Sequence, residues 1–168
     1  MDNLVDIRRV MVGDERVLAF IQTESWKIAF HQILTPELLE KSIDIKKAEA
    51  MYAMLLEKNV GNGLILSVDG EPHCIAYWDK ARDIDESDCA ELICIHSLYS
   101  NWGKGYGSMM MDYILDDINK AGFLRVILWV FEENIRARKF YEKHGFTITD
   151  TTKLFGDAVE VMYSKALT

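Results

Sequence analysis

Between residues 102 and 108 the chain reads Trp102-Gly103-Lys104-Gly105-Tyr106-Gly107-Ser108, with glycine at three alternate positions. The run follows an apolar segment, Ala90 to Leu98, and opens a helical pattern, Ser108 to Ala121, in which Met111, Ile114, Leu115 and Ile118 share one face. Glycines let the chain turn tightly and let backbone N–H groups approach a ligand with no Cβ in the way. The helix N-terminus behind them carries about half a positive charge. A strand feeding such a turn into a helix is suited to phosphate; the plainer alternative is a tight turn with no ligand. A dinucleotide fingerprint needs its last glycine where Ser108 stands, counting from Gly103, and the P-loop pattern is absent.

The turn sits late in a chain whose period changes along its length. Residues 4–11 alternate as a short strand, and Asp14 is a candidate cap for a helix running to Phe30. Thr35-Pro36 opens a second helix, and Ile45 to Lys58 forms a third. Strands are expected at 64–68 and 74–79 around an Asp69-Gly70 hairpin turn, then at 90–98 and 124–131. A helix over 133–144 is closed by Gly145, as Gly122 closes the one before it. Strands at 146–152 and 159–164 finish the chain. The order predicts an α/β fold within a single domain, 1–168: a mixed central sheet of about seven strands flanked by about four helices on both faces. The strands at 90–98 and 124–131 are expected to run parallel, because a helix joins them.

Composition narrows the function. Nineteen Lys and Arg against 27 Asp and Glu leave a net charge of −8, which argues against a phosphate-backbone-binding surface. The mixed, charged N-terminus has no apolar signal-like core, and no stretch is apolar enough for a membrane span. Three cysteines without C-x-x-C spacing fit a reducing, cytoplasmic setting. The four histidines are scattered, so no metal is expected.

The segment Glu91 to Gly107 resembles motif A of the GNAT N-acetyltransferase superfamily. That motif is a strand running into a Gln or Arg, two residues, a glycine, one residue, and a glycine or alanine. A second block, Leu128 to Phe146, resembles motif B of the same family, with Asn134, Ala137, Phe140, Tyr141, Gly145 and Phe146 at the matching positions. The resemblance covers about residues 64–164; the N-terminal helices match only in pattern. One departure is that Trp102 stands where the family has Gln or Arg. Another is that Tyr99 replaces the usual proline.

The resemblance implies the GNAT fold and acetyl-CoA as co-substrate. The turn residues Trp102, Gly103, Lys104, Gly105, Tyr106, Gly107 and Ser108 would meet the pyrophosphate, mainly through backbone N–H groups. The two central strands splay apart in the family, so the backbone around Ile95, His96 and Ser97 would hold the cofactor arm and the thioester, with an N–H there available to the oxyanion. Asn134 would hydrogen-bond the arm. Tyr141 would protonate the departing sulfur. Glu91 falls where some members carry a glutamate general base. The plain alternatives are a helix-start asparagine, a packed tyrosine and an edge carboxylate. Asp88 and Glu86 are weaker candidates for the base. Trp26 is expected in the core; Phe30 and His31 lie with it at the end of the first helix, a region that walls the acceptor site in this family. His96 reads as a structural histidine, and Met109, Met110 and Met111 as packing beneath the turn.

The function expected is acetyl transfer to a primary amine by direct attack in a ternary complex. Transfer of a longer acyl group stays open, as does a coenzyme A-binding sensor without turnover. The acceptor is expected to be a small-molecule or peptide amine, with no nucleic acid or membrane partner. Polyamine, aminoglycoside, amino acid, peptide N-terminus and protein lysine all fit. Edge strands leave a homodimer open.

Overall fold

The computed structural model describes residues 2–168. Seven strands and five α-helices follow in the order β1 (Val5–Arg9), α1 (Glu15–Phe30), α2 (Pro36–Ser42), α3 (Ile45–Glu57), β2 (Asn62–Val68), β3 (Glu71–Lys80), β4 (Cys89–Ser97), α4 (Tyr106–Lys120), β5 (Arg125–Phe131), α5 (Ile135–Lys143), β6 (Thr147–Phe155) and β7 (Ala158–Ala166). The strands form one sheet in the order β1-β2-β3-β4-β5-β7-β6. Only β4 and β5 pair in parallel; every other neighbour is antiparallel. The expected mixed sheet therefore forms, with five helices rather than about four.

Period-two alternation assigns the two faces. On β2 and β3, Leu64, Leu66, Cys74, Ala76 and Trp78 point into a core shared with Met110, Met111, Ile114 and Ile118 of α4. The intervening Ile65, Ile75 and Tyr77 pack instead against Leu18, Ala19 and Ile21 of α1 and Tyr52 of α3. Of the methionine run, Met110 and Met111 are fully buried, whereas Met109 is 44% exposed.

Local chemistry sets most boundaries. Thr35 Oγ1 accepts from Leu38 N at 3.3 Å with Pro36 in the first turn, and the Asp44 carboxylate accepts from Lys46 N and Lys47 N. Asp14 does not cap α1 as expected. Its carboxylate is engaged by the Arg8 guanidinium at 2.8 and 2.9 Å and by Met11 N at 2.8 Å, which holds it well below the usual carboxylate range. The second correction is that α4 begins at Tyr106, not Ser108. Gly105, at φ 87°, is already the left-handed cap residue, so Gly107 lies inside the first helical turn.

Packing of α4 under the sheet dominates this core, so its side chains are the sensitive ones. Ile114→Ala, at a fully buried position, is expected to lower unfolding free energy by about 2–5 kcal/mol in urea titrations. Met109→Ala, on the exposed side of the same helix, should cost about 0.5 kcal/mol or less.

Candidate active site

The parallel ladder is short. It pairs Cys89 with Arg125, Ala90 with Val126, Glu91 with Ile127 and Leu92 with Leu128, and then stops. Both strands continue, β4 to Ser97 and β5 to Phe131, without pairing further. The reason lies one strand over: the β3–β4 register shifts between Tyr77 and Trp78, leaving Ile93 without a Cα partner. Such a bulge bends the strand that carries it. It also reverses the alternation, so that Cys94 packs toward α1 and α3 while Ile95 packs toward α4. A cleft of about 1210 Å³ runs through the opening, and Ile95, His96, Ser97, Trp102, Gly103, Gly105, Tyr106, Gly107, Ser108, Asn134 and Tyr141 all line it.

At one end lies the glycine turn. Gly103 and Gly105 have φ of 77° and 87°, and a Cβ at either would meet nothing within 4 Å. Glycine is thus required there by backbone conformation, and the space before the turn is open to a ligand. The first N–H groups of α4 lack intrahelical acceptors; the ladder of helical bonds starts with Met109 N to Gly105 O. The side chains around the turn are otherwise engaged. Lys104 Nζ donates to Asn101 Oδ1 at 3.0 Å, and the buried Tyr106 hydroxyl accepts from Asn3 Nδ2. Ser108 Oγ lies 3.0 Å from His144 Nε2. What these three residues offer a phosphate is chiefly backbone.

Trp102 lies along the cleft wall. Its Nε1 donates to the Ser97 carbonyl at 2.9 Å, and the Arg136 guanidinium carbon stacks 3.5 Å from the ring centroid. Burial lowers the Arg136 pKa, and no neighbouring carboxylate offsets it. Arg136, Lys139 and Lys143 of α5 all line the cleft. Their three- and four-residue spacing puts them on one helical face, a basic stripe that is legible in the sequence although the family motif does not include it.

Asn134 is the cap of α5, its Oδ1 accepting from Ala137 N at 3.3 Å, and the residue lines the cleft. Tyr141 is two turns further on the same side. Burial holds its hydroxyl well above the usual tyrosine range, so it stays protonated. Burial also drives His96 down to about 4 and the Cys94 thiol up to about 11. His96 is therefore a neutral imidazole, which accepts from Trp26 Nε1 at 3.3 Å, and Cys94 is a thiol rather than a thiolate at neutral pH.

Glu91 is 1% exposed and is held by Arg82, with 2.6 Å between Nη2 and Oε2 and a further 3.3 Å contact from the Arg82 backbone N–H. It lies behind the cleft wall, while Arg82 forms part of that wall. Glu86 pairs with Arg125 at 2.8 Å. Trp26 is not a core residue as expected: it is half-buried and lines the cleft with Phe30. His31 is exposed, its ring folded back to the Ile28 carbonyl at 2.9 Å. Trp129, Phe131, Phe155 and Glu160, none of them marked by a sequence motif, line the far end of the cleft. They come from three different strands, and no local spacing links them. Among the described residues no group of three or more His, Cys, Asp or Glu is placed to hold a metal, and no helix is long and apolar enough to cross a membrane.

Comparison with known proteins agrees with this geometry. An uncharacterised N-acetyltransferase from Mycobacterium tuberculosis is 28% identical over 138 residues, covering 82% of this chain and 86% of its own length. The spermidine N(1)-acetyltransferase of Thermoplasma acidophilum is 24% identical over 149 residues, 88% of this chain and 91% of its own. Among solved structures, the PaiA N-acetyltransferase of T. acidophilum in complex with coenzyme A superimposes with a TM-score of 0.82 at 21% identity, covering 98% of this chain and 99% of that one. The yncA protein of Salmonella typhimurium, solved with its cofactor acetyl-CoA, shares the fold at a TM-score of 0.74 and 16% identity, over 98% and 94% of the two chains. The family model for the Acetyltransferase (GNAT) family matches residues 24–146, most of the chain, including the glycine turn, the splayed strands and the cap of α5. The chain belongs to the GNAT family and, as a member of it, is an acetyl-CoA-dependent N-acetyltransferase.

Proposed function

We propose that the protein moves an acetyl group from acetyl-CoA to a primary amine by direct attack within a ternary complex. The observation that carries this reading is the continuous cleft, which joins the glycine turn on one side of the sheet to an aromatic-lined opening on the other and has Tyr141, kept protonated by burial, among its lining residues. Acetyl-CoA supplies an activated thioester. The pyrophosphate lies against the backbone N–H groups of residues 103–108, with Arg136 adding the cationic side chain that Trp102 lacks. The pantetheine arm passes Asn134 Nδ2 and the unpaired edge of β4. Backbone N–H groups around Ile95 to Ser97 stabilise the oxyanion.

In the chemical step the amine nitrogen forms a bond to the thioester carbonyl carbon, the carbon–sulfur bond breaks, and the thiolate takes the Tyr141 proton. The amine must also lose a proton. Glu91 is the carboxylate assigned to accept it, through an intervening water, since it is enclosed behind Arg82. A covalent cysteine intermediate is not favoured, because Cys94 is protonated at neutral pH. The named spermidine relative supports a small-molecule amine as acceptor. A sensor without turnover is the less favoured reading, since Asn134 and Tyr141 both line the cleft.

Acetyl-CoA should raise the melting temperature; at a hundredfold excess over Kd the stabilisation is about 2.7 kcal/mol, with NAD giving far less. Gly105→Val should weaken that shift, because a side chain strains the left-handed backbone and blocks the approach. Arg136→Ala is expected to raise KM for acetyl-CoA roughly tenfold, in line with loss of a charge-assisted contact, with little change in KM for the amine. An unchanged KM would reduce Arg136 to a partner of the indole ring.

Tyr141→Phe keeps the packing and should lower kcat by about 10²-fold with little effect on KM for acetyl-CoA. Glu91→Gln should flatten the acidic limb of the pH–rate profile. A drop in melting temperature with kcat and the limb intact would make Glu91 a structural partner of Arg82 and nothing more.

A further inference from the structure

On the face of the sheet away from α4, four rings close a circuit of edge-to-face contacts. Trp26 meets Phe30 at 4.9 Å between centroids, Phe30 meets Phe131 at 4.9 Å, Phe131 meets Phe155 at 5.8 Å, and Phe155 returns to Trp26 at 5.9 Å. They come from α1, β5 and β6, so the wall exists only in the folded chain. Edge-to-face packing fixes each ring against its neighbours. Trp26, Phe30 and Phe155 nevertheless keep part of their surface exposed, and all four line the cleft. One end of this wall touches His96, whose imidazole accepts from Trp26 Nε1, beside the backbone assigned to the thioester.

Charge on this side is sparse. Glu160 stands directly opposite Phe131 in the β5–β7 ladder, so the two side chains share a face. Among the described residues neither Glu160 oxygen has a hydrogen-bond or ion-pair partner. Lys153, across the β6–β7 ladder, is turned to Asp83 at 3.5 Å and to the Trp129 ring at 4.2 Å. Glu91 is already neutralised by Arg82. Glu160 is thus the one carboxylate at the aromatic end of the cleft left to receive a cation; Asp79 lines the opposite, α3 side.

We infer, on the basis of the acetyl-transfer reading above, that the acceptor is a primary monoamine with an aromatic or bulky apolar body, which lies against Trp26, Phe30 and Phe155 with its nitrogen directed to the thioester, while the unpaired charge of Glu160 draws its ammonium form into the cleft. An aryl body gains stacking and apolar burial from this wall. The ammonium form is attracted into the cleft by an otherwise unpaired carboxylate before the nitrogen gives up its proton and attacks. A polyamine's further ammonium groups would find no second unpaired carboxylate among the described residues on this side of the cleft, since Asp79 lines the α3 side and Glu91 is held by Arg82. Partial burial raises the Glu160 pKa, with Glu91 nearby adding to the rise and Lys153 opposing it, as expected of a carboxylate awaiting a counter-charge.

The test is acetyl-CoA turnover, read as free thiol release, with 2-phenylethylamine, ethylamine and spermidine on the intact protein. The expected result is a kcat/KM for 2-phenylethylamine at least tenfold above that for either of the others. Phe155→Ala should narrow the ratio between 2-phenylethylamine and ethylamine by about tenfold. Glu160→Gln should raise KM for 2-phenylethylamine with KM for acetyl-CoA unchanged. Calorimetric binding of acetyl-CoA to each variant confirms that it is folded. Spermidine or ethylamine used as well as 2-phenylethylamine, or a ratio unmoved by Phe155→Ala, overturns the monoamine inference and leaves acetyl transfer standing. Acetyl-CoA binding with no thiol released for any primary amine overturns the acetyl-transfer reading, and this inference with it.

Discussion

The end of the β4–β5 ladder at Leu92 and Leu128 is the constraint on which the site depends. Four residue pairs hold the two parallel strands together near the middle of the sheet, and beyond them the strands diverge. A parallel pair that stopped without compensation would leave backbone donors and acceptors stranded. Here the divergence opens a channel, and the freed edge of β4 faces it. The extra residue at Ile93 makes this geometry possible, because a bulge bends β4 without breaking its antiparallel ladder to β3. The same residue reverses the alternation, so that Cys94 and His96 come to lie on the α1 side, where Glu91 already stood.

Two chemically unlike environments meet at that opening. Toward α4 and α5 the cleft is basic and rich in free N–H groups: the turn at 103–105, the start of α4, and Arg136, Lys139 and Lys143. This end suits an anion. Toward α1 and the β6–β7 hairpin it is aromatic, with Glu160 as its unpaired carboxylate among the described residues. The groups between them are held neutral by burial: His96 as imidazole, Cys94 as thiol, Tyr141 as phenol. Neutral donors in a partly enclosed channel can give protons without adding fixed charge near a developing thiolate.

The Trp102–Arg136 stack brings a cation to a motif position that lacks its usual Gln or Arg. The indole cannot offer the long polar arm of Gln or Arg. It does anchor to the Ser97 carbonyl, and its face gives the Arg136 guanidinium a platform at the mouth of the turn. The cation reaches the cleft from α5 rather than from the turn itself. Such a substitution is invisible when either motif is considered alone, since residues 102 and 136 belong to different blocks.

Local sequence determined what depends on neighbouring residues. The alternation of Leu64 to Val68 and Cys74 to Trp78, the Asp69-Gly70 turn, the Thr35-Pro36 cap and the glycines at 103, 105, 122 and 145 specify elements through backbone sterics and short-range hydrogen bonds. They sufficed for the mixed sheet, the glycine turn and the placing of Asn134 and Tyr141 on one side of one helix. Asp14 escaped that logic because Arg8, on the preceding strand, competes for its carboxylate. Only the tertiary structure decided the rest. Whether Glu91 faces water or is shut behind Arg82, whether Trp26 is core or cleft wall, and whether Phe131, Phe155 and Glu160 belong to a site at all depend on strand register and on where the central ladder ends. Those are long-range pairings, whose free energy comes from burying surfaces far apart in sequence, and no short window of residues encodes which surfaces will meet.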